Sequence, residues 1–503
     1  MKIFLWFAVS HFVICIRISW ELLSLQRMLA TILLVILFSV RVFRCYYMMR
    51  GQDYLRFFIL IILFVGAMLM LIHHASVLVL FTGWDGLGIA SYLLVAYFLR
   101  WSSQNGAMIT VMTNRFGDVC LFRFLSTLLL SLVLDAYFII IPFVLLVCGF
   151  TKSAQVPFSR WLPMAMRAPT PVSSLVHSST LVTAGVYLFI KYFELLTPTI
   201  LLLLTAGLIT TFVGGGVATV EKDLKKIVAL STLSQLGFMC MALGLALPLL
   251  RFLHLITHAL FKRCMFIAVG GLIGSTFSLQ DSRGYCNAGV NRLTRHCVLG
   301  ICVFSLCGLL FSRGFLSKDL IIASMIRMQS AMITAIFLLI IILFTLVYAI
   351  RMMQAAQDVR SSSMSCNGMN RTMMVSTLPV AVGGVVGGVL LVQRCIFIPL
   401  SFSDFVKGIA VYCLIIALLT TGLWCQVDGS SRWIIGQDIL THSTQQRRIF
   451  FELRFLETAI QRMHELPIKW LWFHGFDFVL LIFSILLLTF CYLWSCSSFD
   501  QYD

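Results

Sequence analysis

The chain is 503 residues long, 60% apolar and only 11% charged, with a mean hydropathy of +0.98. So little polar surface cannot cover a water-soluble globule of this size, which excludes a soluble fold and points to a bilayer. The 37 Lys and Arg against 20 Asp and Glu give +17, but these bases punctuate apolar runs and form no patch interleaved with stacking aromatics, which speaks for positive-inside topology and anionic lipid and against nucleic acid.

A spanning helix needs about 20 mostly apolar residues, and such runs recur along the chain. In order they are Ile3 to Ile16, Met28 to Phe43, Leu55 to Ile72, Val77 to Leu99, Met108 to Leu130, Leu134 to Phe150, Ser173 to Phe193, Ile200 to Val220, Ile227 to Leu249 and Phe252 to Thr276. Val298 to Phe311, Leu320 to Ile350, Val375 to Val392, Phe405 to Cys425 and Phe476 to Trp494 follow. With two helices expected to be interrupted, the fold class is an all-α polytopic membrane protein of about 14 to 16 transmembrane helices. The first run has an apolar core and no small-residue cleavage pattern, and reads as a retained helix. Polar breaks at Glu221 to Lys226, Gln280 to Arg295 and Ala355 to Arg371 are too short to house a domain. Between Gln426 and Trp470, Ile449, Leu453, Leu456, Ile460 and Met463 form one apolar stripe on a charged helix, the pattern of an element lying along a surface. Cysteines such as Cys15, Cys120, Cys148, Cys240 and Cys302 sit singly in apolar runs, without CxxC pairs, and read as small hydrophobes.

Charges inside apolar spans cost at least about 2.5 kcal/mol each on insertion scales, so each needs a reason. Asp85 sits in FTGWDGLGIASYLL among glycines that permit close helix approach; it is either bonded to a neighbouring helix for structure or part of a proton path. Lys152 closes an apolar run just before Pro157, where a helix must break for want of a backbone donor. A lysine at such a break can exchange its proton; the alternative is a side chain snorkelling to the interface. His254, His258 and Lys262, at steps of four, fall within about 80° of arc on one helix face. They form a proton relay or a structural polar stripe; zinc is disfavoured because no HExxH glutamate or third ligand accompanies them. GFLSKD around Lys318 echoes GFTKS around Lys152, as two interrupted helices in corresponding places of a transporter-type repeat would. His177 falls within reach of Lys152 if the chain folds back past Pro169 and Pro171, and Arg115 and Asp118 can pair on one face, for structure or function alike.

The segments GWDGLGIASYLL, TNRFGD, KSAQVPFSRWLPMAMRAPTPVSSLVHSSTLVTAGVYL, DLKKIVALSTLSQLGFM, HLITHALFK and FLSKD occur in that order. Together they resemble the signature segments of the antiporter-like chain 5 family of mitochondrial NADH:ubiquinone oxidoreductase, over about Thr82 to Leu320. The resemblance implies inverted repeats with two discontinuous helices, an amphipathic helix that braces the membrane arm laterally, and proton translocation coupled to electron transfer elsewhere in respiratory complex I. It assigns Asp85 to the family's intramembrane acid, commonly glutamate, and Lys152 and Lys318 to the lysines of the broken helices. His177, His254, His258 and Lys262 fall on the central axis, Arg115 and Asp118 on a polar pair near the acid, and Lys225 in the DIK-type segment. Aspartate is one methylene shorter than glutamate, so its carboxylate reaches less far toward Lys152 and water has to bridge the difference. The implied organisation is 1–75 N-terminal helices, 76–353 translocating core, 354–425 further helices, 426–472 lateral helix and 473–503 anchor. No redox cofactor is expected here; NADH, FMN, iron–sulfur clusters and ubiquinone belong to other subunits, and the partners the resemblance implies are other subunits of the complex, neighbouring antiporter-like ones above all, and phospholipid including cardiolipin. The expected location is the mitochondrial inner membrane, with synthesis inside the organelle. A stand-alone cation/proton antiporter subunit and a passive clamp of the membrane arm are the alternatives.

Overall fold

In a bilayer every backbone N–H and C=O must find its partner within the protein, and an apolar chain achieves that locally only as a helix. The computed structural model describes residues 25–45, 47, 54–74, 76–131, 140–275, 280, 293–308, 317–318, 321–322, 332–357 and 376–377. The chain divides into two units, Met1–Gly422 and Leu423–Asp503, and all described residues belong to the first. Their order is α1 (Leu25–Cys45), α2 (Tyr54–Ile72), α3 (Val77–Val95), α4 (Trp101–Ser131), α5 (Ile140–Lys152), the short α6 (Trp161–Met164) and α7 (Thr170–Leu175). Then come α8 (Leu181–Lys191), α9 (Ile200–Val220), α10 (Leu224–Gly244), α11 (Pro248–Ser275), α12 (Leu293–Cys307) and α13 (Met332–Gln357). Among the described residues seven segments are long and apolar enough to cross a membrane.

The expected break before Pro157 is present. Helix α5 stops at Lys152, Ala154 takes a left-handed φ of 56°, Val156–Pro157 is cis, and helix resumes at Trp161. The carbonyls and amides freed by the break are taken up locally, as burial demands. Gln155 N donates to Phe150 O at 3.1 Å, Trp161 Nε1 to Thr151 O at 2.9 Å, and Gln155 Nε2 to Ser153 O at 3.2 Å. Thr210 Oγ1 on α9 reaches Gln155 Oε1 at 2.7 Å.

Several boundaries differ from the sequence pattern. Helix α4 begins at Trp101 rather than Met108, because the polar stretch Ser102 to Asn105 carries no penalty near a membrane surface. The span expected at Ser173 starts at Thr170 and is not one regular helix: between α7 and α8 it passes through a π turn, Val176–Thr180. Hydroxyls cause this. Ser173, Ser174 and Ser178 donate to Thr170 O, Pro171 O and Ser174 O, and Thr180 Oγ1 donates to Leu175 O at 2.8 Å, competing with the backbone ladder. Helix α12 ends at Cys307 because Gly308, at φ 75°, adopts the left-handed cap. Helix α13 runs on to Gln357, past Arg351, whose guanidinium donates to Thr219 O on α9. The runs at Ile3 to Ile16, Val375 to Val392, Phe405 to Cys425 and Phe476 to Trp494 and the 426–472 stripe lie outside the described residues, apart from Ser376 and Thr377.

Burial sorts the spans into rim and centre. The most apolar windows of α2 and α9 are 44% and 33% buried, whereas those of α7–α8, α10 and α11 are 100%, 94% and 100% buried. The central helices carry half of the polar candidates, His177, Lys225, His254, His258 and Lys262. They approach closely because small residues face backbone, the packing that membrane helices use: a Cβ on Gly185 of α8 would sit 2.6 Å from Gly149 O and 2.9 Å from Ser153 N of α5. Gly185→Ala therefore overpacks the break beside Lys152 and is expected to cost about 1–3 kcal/mol. Heating the detergent-extracted protein should show earlier unfolding than wild type; an unchanged curve would mean the two backbones have room to part.

Candidate functional site

The candidate site residues on these helices fall into three clusters. In the first, α3 supplies Asp85 and α4 supplies Arg115 and Asp118. Arg115 Nη1 donates to Asp85 Oδ1 at 2.6 Å and stands 3.5 Å from Asp118 Oδ2, so the guanidinium joins the two carboxylates. Lys152 is fully buried, with its Nζ donating to Trp84 O at 3.1 Å, 4.9 Å from the Trp84 ring centroid and facing the bare side of Gly88. Asp85 thus meets Arg115 rather than Lys152, as its short side chain allows, while both Asp118 and Asp85 lie in electrostatic range of the lysine. Gly117, between Arg115 and Asp118 in sequence, lets α4 reach α5: a Cβ there would fall 2.0 Å from Thr151 Oγ1. Beside the pair a cavity of about 110 Å³ is lined by Gly88, Ile89, Tyr92, Val111, Asn114, Arg115 and Asp118.

The second cluster is His177, in the π turn, with Lys225 near the start of α10. Among the described residues neither ring nitrogen of His177 has a hydrogen-bond partner, although the residue is buried, and Lys225 lies in electrostatic range while donating to Ala168 O. His177 does not touch Lys152. Trp161 stands between them: its ring is 5.9 Å from the His177 ring, and its indole N–H holds the Thr151 carbonyl next to Lys152.

The third cluster is the row on α11. His254, His258 and Lys262 are all fully buried, with the two imidazole centroids 6.3 Å apart. His254 Nδ1 pairs with Ser317 Oγ at 2.8 Å, and Lys262 Nζ donates to Ser231 Oγ on α10 at 2.6 Å. Among the described residues His258 has no hydrogen-bond partner on either nitrogen. Lys318, in electrostatic range of all three, donates to Leu306 O near the end of α12.

Ser231, Trp161, Gln155, Thr210 and the buried Arg251 escaped the sequence reading. Ser231 had a faint signal in the polar run STLSQ inside an apolar helix; the others acquire their roles only through partners distant in sequence. Among the described residues no three His, Cys, Asp or Glu side chains converge as metal ligands would.

Chemically, the site places titratable groups in an apolar interior at a helix break, in a π turn and on one face of α11. Fold and site together define a polytopic helical membrane protein of antiporter type. Residues 75–345, more than half of the chain, match the family described as NADH:quinone oxidoreductase/Mrp antiporter, transmembrane. The chain is 42% identical over 347 residues to NADH-ubiquinone oxidoreductase chain 5 of Ascaris suum, covering 64% of this chain and 63% of that one. It is 37% identical over 470 residues to chain 5 of Anopheles gambiae, covering 86% and 78%. The chain belongs to the NADH:quinone oxidoreductase/Mrp antiporter family, among its chain 5 members. A chain in the structure of the Mrp complex from Dietzia sp. DQ12-45-1b shares the fold, with a TM-score of 0.69 at 24% identity over 93% of this chain and 55% of that one.

Replacing Ser231 by Ala leaves the Lys262 ammonium without its acceptor and is expected to cost about 1–3 kcal/mol. Ser231→Thr, which keeps the hydroxyl, should unfold near the wild-type temperature and Ser231→Ala below it. Coincident curves for Ala and wild type would show that the contact contributes nothing.

Proposed function

We propose that this chain is a proton-translocating membrane-arm subunit of mitochondrial NADH:ubiquinone oxidoreductase, working in the inner membrane without a redox centre of its own. NADH oxidation and quinone reduction, with FMN and iron–sulfur clusters, take place in other subunits. Their turnover drives proton movement along Asp85, Lys152, His177, Lys225, Lys262, His258, His254 and Lys318, with Arg115 and Asp118 setting the charge around the first acid. The observation that carries this reading is Lys152: a fully buried ammonium at the end of a broken helix, held by a backbone carbonyl, with two carboxylates in range.

An ammonium in apolar surroundings keeps its proton while negative charge faces it and yields the proton when that charge withdraws. Arg115 supplies the alternative partner. With Asp85 bound to Arg115 the carboxylate is drawn from Lys152; with Asp85 turned toward Lys152 the ammonium is held. Exchange of Asp85 between the two cations is therefore the gating event, and a proton released from Lys152 passes inward to His177 and then to the row on α11. Imidazole suits such a relay because either ring nitrogen can take or give the proton.

The surface around Asp85 supports a membrane neighbour. The Arg115 side chain is 50% exposed, and Met112, Phe116 and Val119 are exposed on the same helix. Lipid tails cannot solvate a guanidinium, so this face fits a second antiporter-like subunit, whose approach would also shift the balance between Arg115 and Lys152. In this reading residues 76–353 are the translocating core, supported by the family match over 75–345. The lateral helix at 426–472 and the anchor at 473–503 rest on sequence pattern.

Lys152→Ala in the assembled complex should lower proton pumping, and with it NADH:ubiquinone turnover, by at least about tenfold. Lys152→Arg should fail as well, since a guanidinium hardly ever gives up its proton. Pumping measured in vesicles with both variants decides: normal rates for Ala would remove Lys152 from the path, and normal rates for Arg alone would reduce it to a fixed charge.

A further inference from the structure

Two arginines on α11, Arg251 and Arg263, are fully buried and play no part in the path described above. They are not equivalent. Arg263 donates from Nη1 to Ser174 O at 3.2 Å, whereas among the described residues none of the three guanidinium nitrogens of Arg251 has a hydrogen-bond partner. The Arg251 guanidinium carbon instead lies 5.7 Å from the centroid of the Phe189 ring, near the end of α8. Advancing about 100° per residue, Arg251, His254, His258 and Lys262 share about 80° of one helix face, and Arg263 lies about 100° beyond Lys262. Arg251 is therefore the terminal member of the polar row.

What lies beyond that end gives the position its meaning. Helix α11 starts at Pro248, Leu249 is 57% exposed, and Ala246, in the turn from α10, is exposed too. His254 stands six residues into α11 from Pro248, about 9 Å of helix at 1.5 Å per residue. A titratable row that comes so near one end of its span has a short way out, and a proton on His254 that escaped there would discharge the gradient.

We propose that Arg251 is the barrier that closes the row at this end, a fixed positive charge that denies protons on His254 an exit past the α10–α11 turn. It rests on the proton-translocation reading above. Three features suit the residue to this task. A guanidinium holds its proton permanently and so cannot act as the next relay member. Among the described residues its charge is met by no carboxylate, only by an aromatic face, so it stays electrostatically active toward an approaching proton, as an arginine does in pores that exclude protons. The N-terminal end of α11 adds partial positive charge of the same sign.

The experiment uses the assembled complex in liposomes holding a pH-sensitive dye. Proton entry is driven by a potassium diffusion potential in the absence of NADH, and pumping by NADH is measured separately. Arg251→Gln should raise the passive proton leak by at least about tenfold, the scale expected on removing a unit charge several ångströms from the path at an effective dielectric near ~20. Arg251→Lys, whose ammonium can release its proton, should leak more than wild type and less than Gln. Arg263→Gln should stay tight. Adding Lys262→Met to Arg251→Gln should restore tightness, because the leak then loses its row. A wild-type leak in an assembled Arg251→Gln complex, or a leak that survives Lys262→Met, overturns the barrier; if the Gln variant fails to assemble, a wild-type leak in Arg251→Lys does the same. NADH-driven pumping that is insensitive to Lys152→Ala would defeat the translocation reading, a separate outcome from any result of the leak measurement.

Discussion

The structure turns on the interruption of α5 at Lys152. A helix that continued would satisfy its own backbone and leave a lysine ammonium buried in an apolar interior, which no membrane helix tolerates without a partner. Breaking before Pro157 frees carbonyls and turns the chain sharply, and the surrounding helices then have to supply what the break removed. Thr210 reaches in from α9 to Gln155, Trp161 folds back onto Thr151 O, and Trp84 O accepts from Lys152 itself. The close packing follows from the same need: α8 lies against α5 at Gly185, and α4 reaches it through Gly117, because only bare backbone lets helices come near enough to enclose the break.

The same economy of partners organises the rest of the interior. Serine and threonine hydroxyls in α7 and the π turn occupy carbonyls that the helix would otherwise use, which loosens the ladder around His177. On α11 the regular helix persists, and the row of His254, His258 and Lys262 is instead served from outside, by Ser317 and Ser231. The result is three clusters, each with at least one group bound to protein. Among the described residues the imidazoles of His177 and His258 have no hydrogen-bond partner, which leaves their ring nitrogens to be met by water.

Much of this was legible in the sequence, for physical reasons that can be named. Pro157 cannot continue a helix, so the break at Lys152 followed from one residue. The steps of four from His254 to Lys262 fixed a shared face, since helical geometry leaves no alternative. The π turn was not legible, because a run of hydroxyls is compatible with an ordinary helix until neighbouring backbone decides which carbonyls remain free. Asp85 was recognised as an intramembrane acid, but its partner, Arg115, comes from a different helix 30 residues on, and the sequence suggested only the local pair of Arg115 with Asp118. Ser231 was missed for a like reason: its significance lies in Lys262, 31 residues away, and the polar run STLSQ within α10 hints at a buried polar contact without naming the partner.

The central claim, that the buried groups form a hydrated path for protons, has a direct structural test. Buried polar atoms in native proteins are paired with protein or with ordered water, and among the described residues the ring nitrogens of His177 and His258 have no hydrogen-bond partner. An electron cryo-microscopy map of the assembled complex, at a resolution that reveals ordered solvent, should contain water density within hydrogen-bonding distance of both imidazoles and continuing toward Lys262. Dry, apolar packing around His177 and His258, or rings turned toward lipid, would contradict the account.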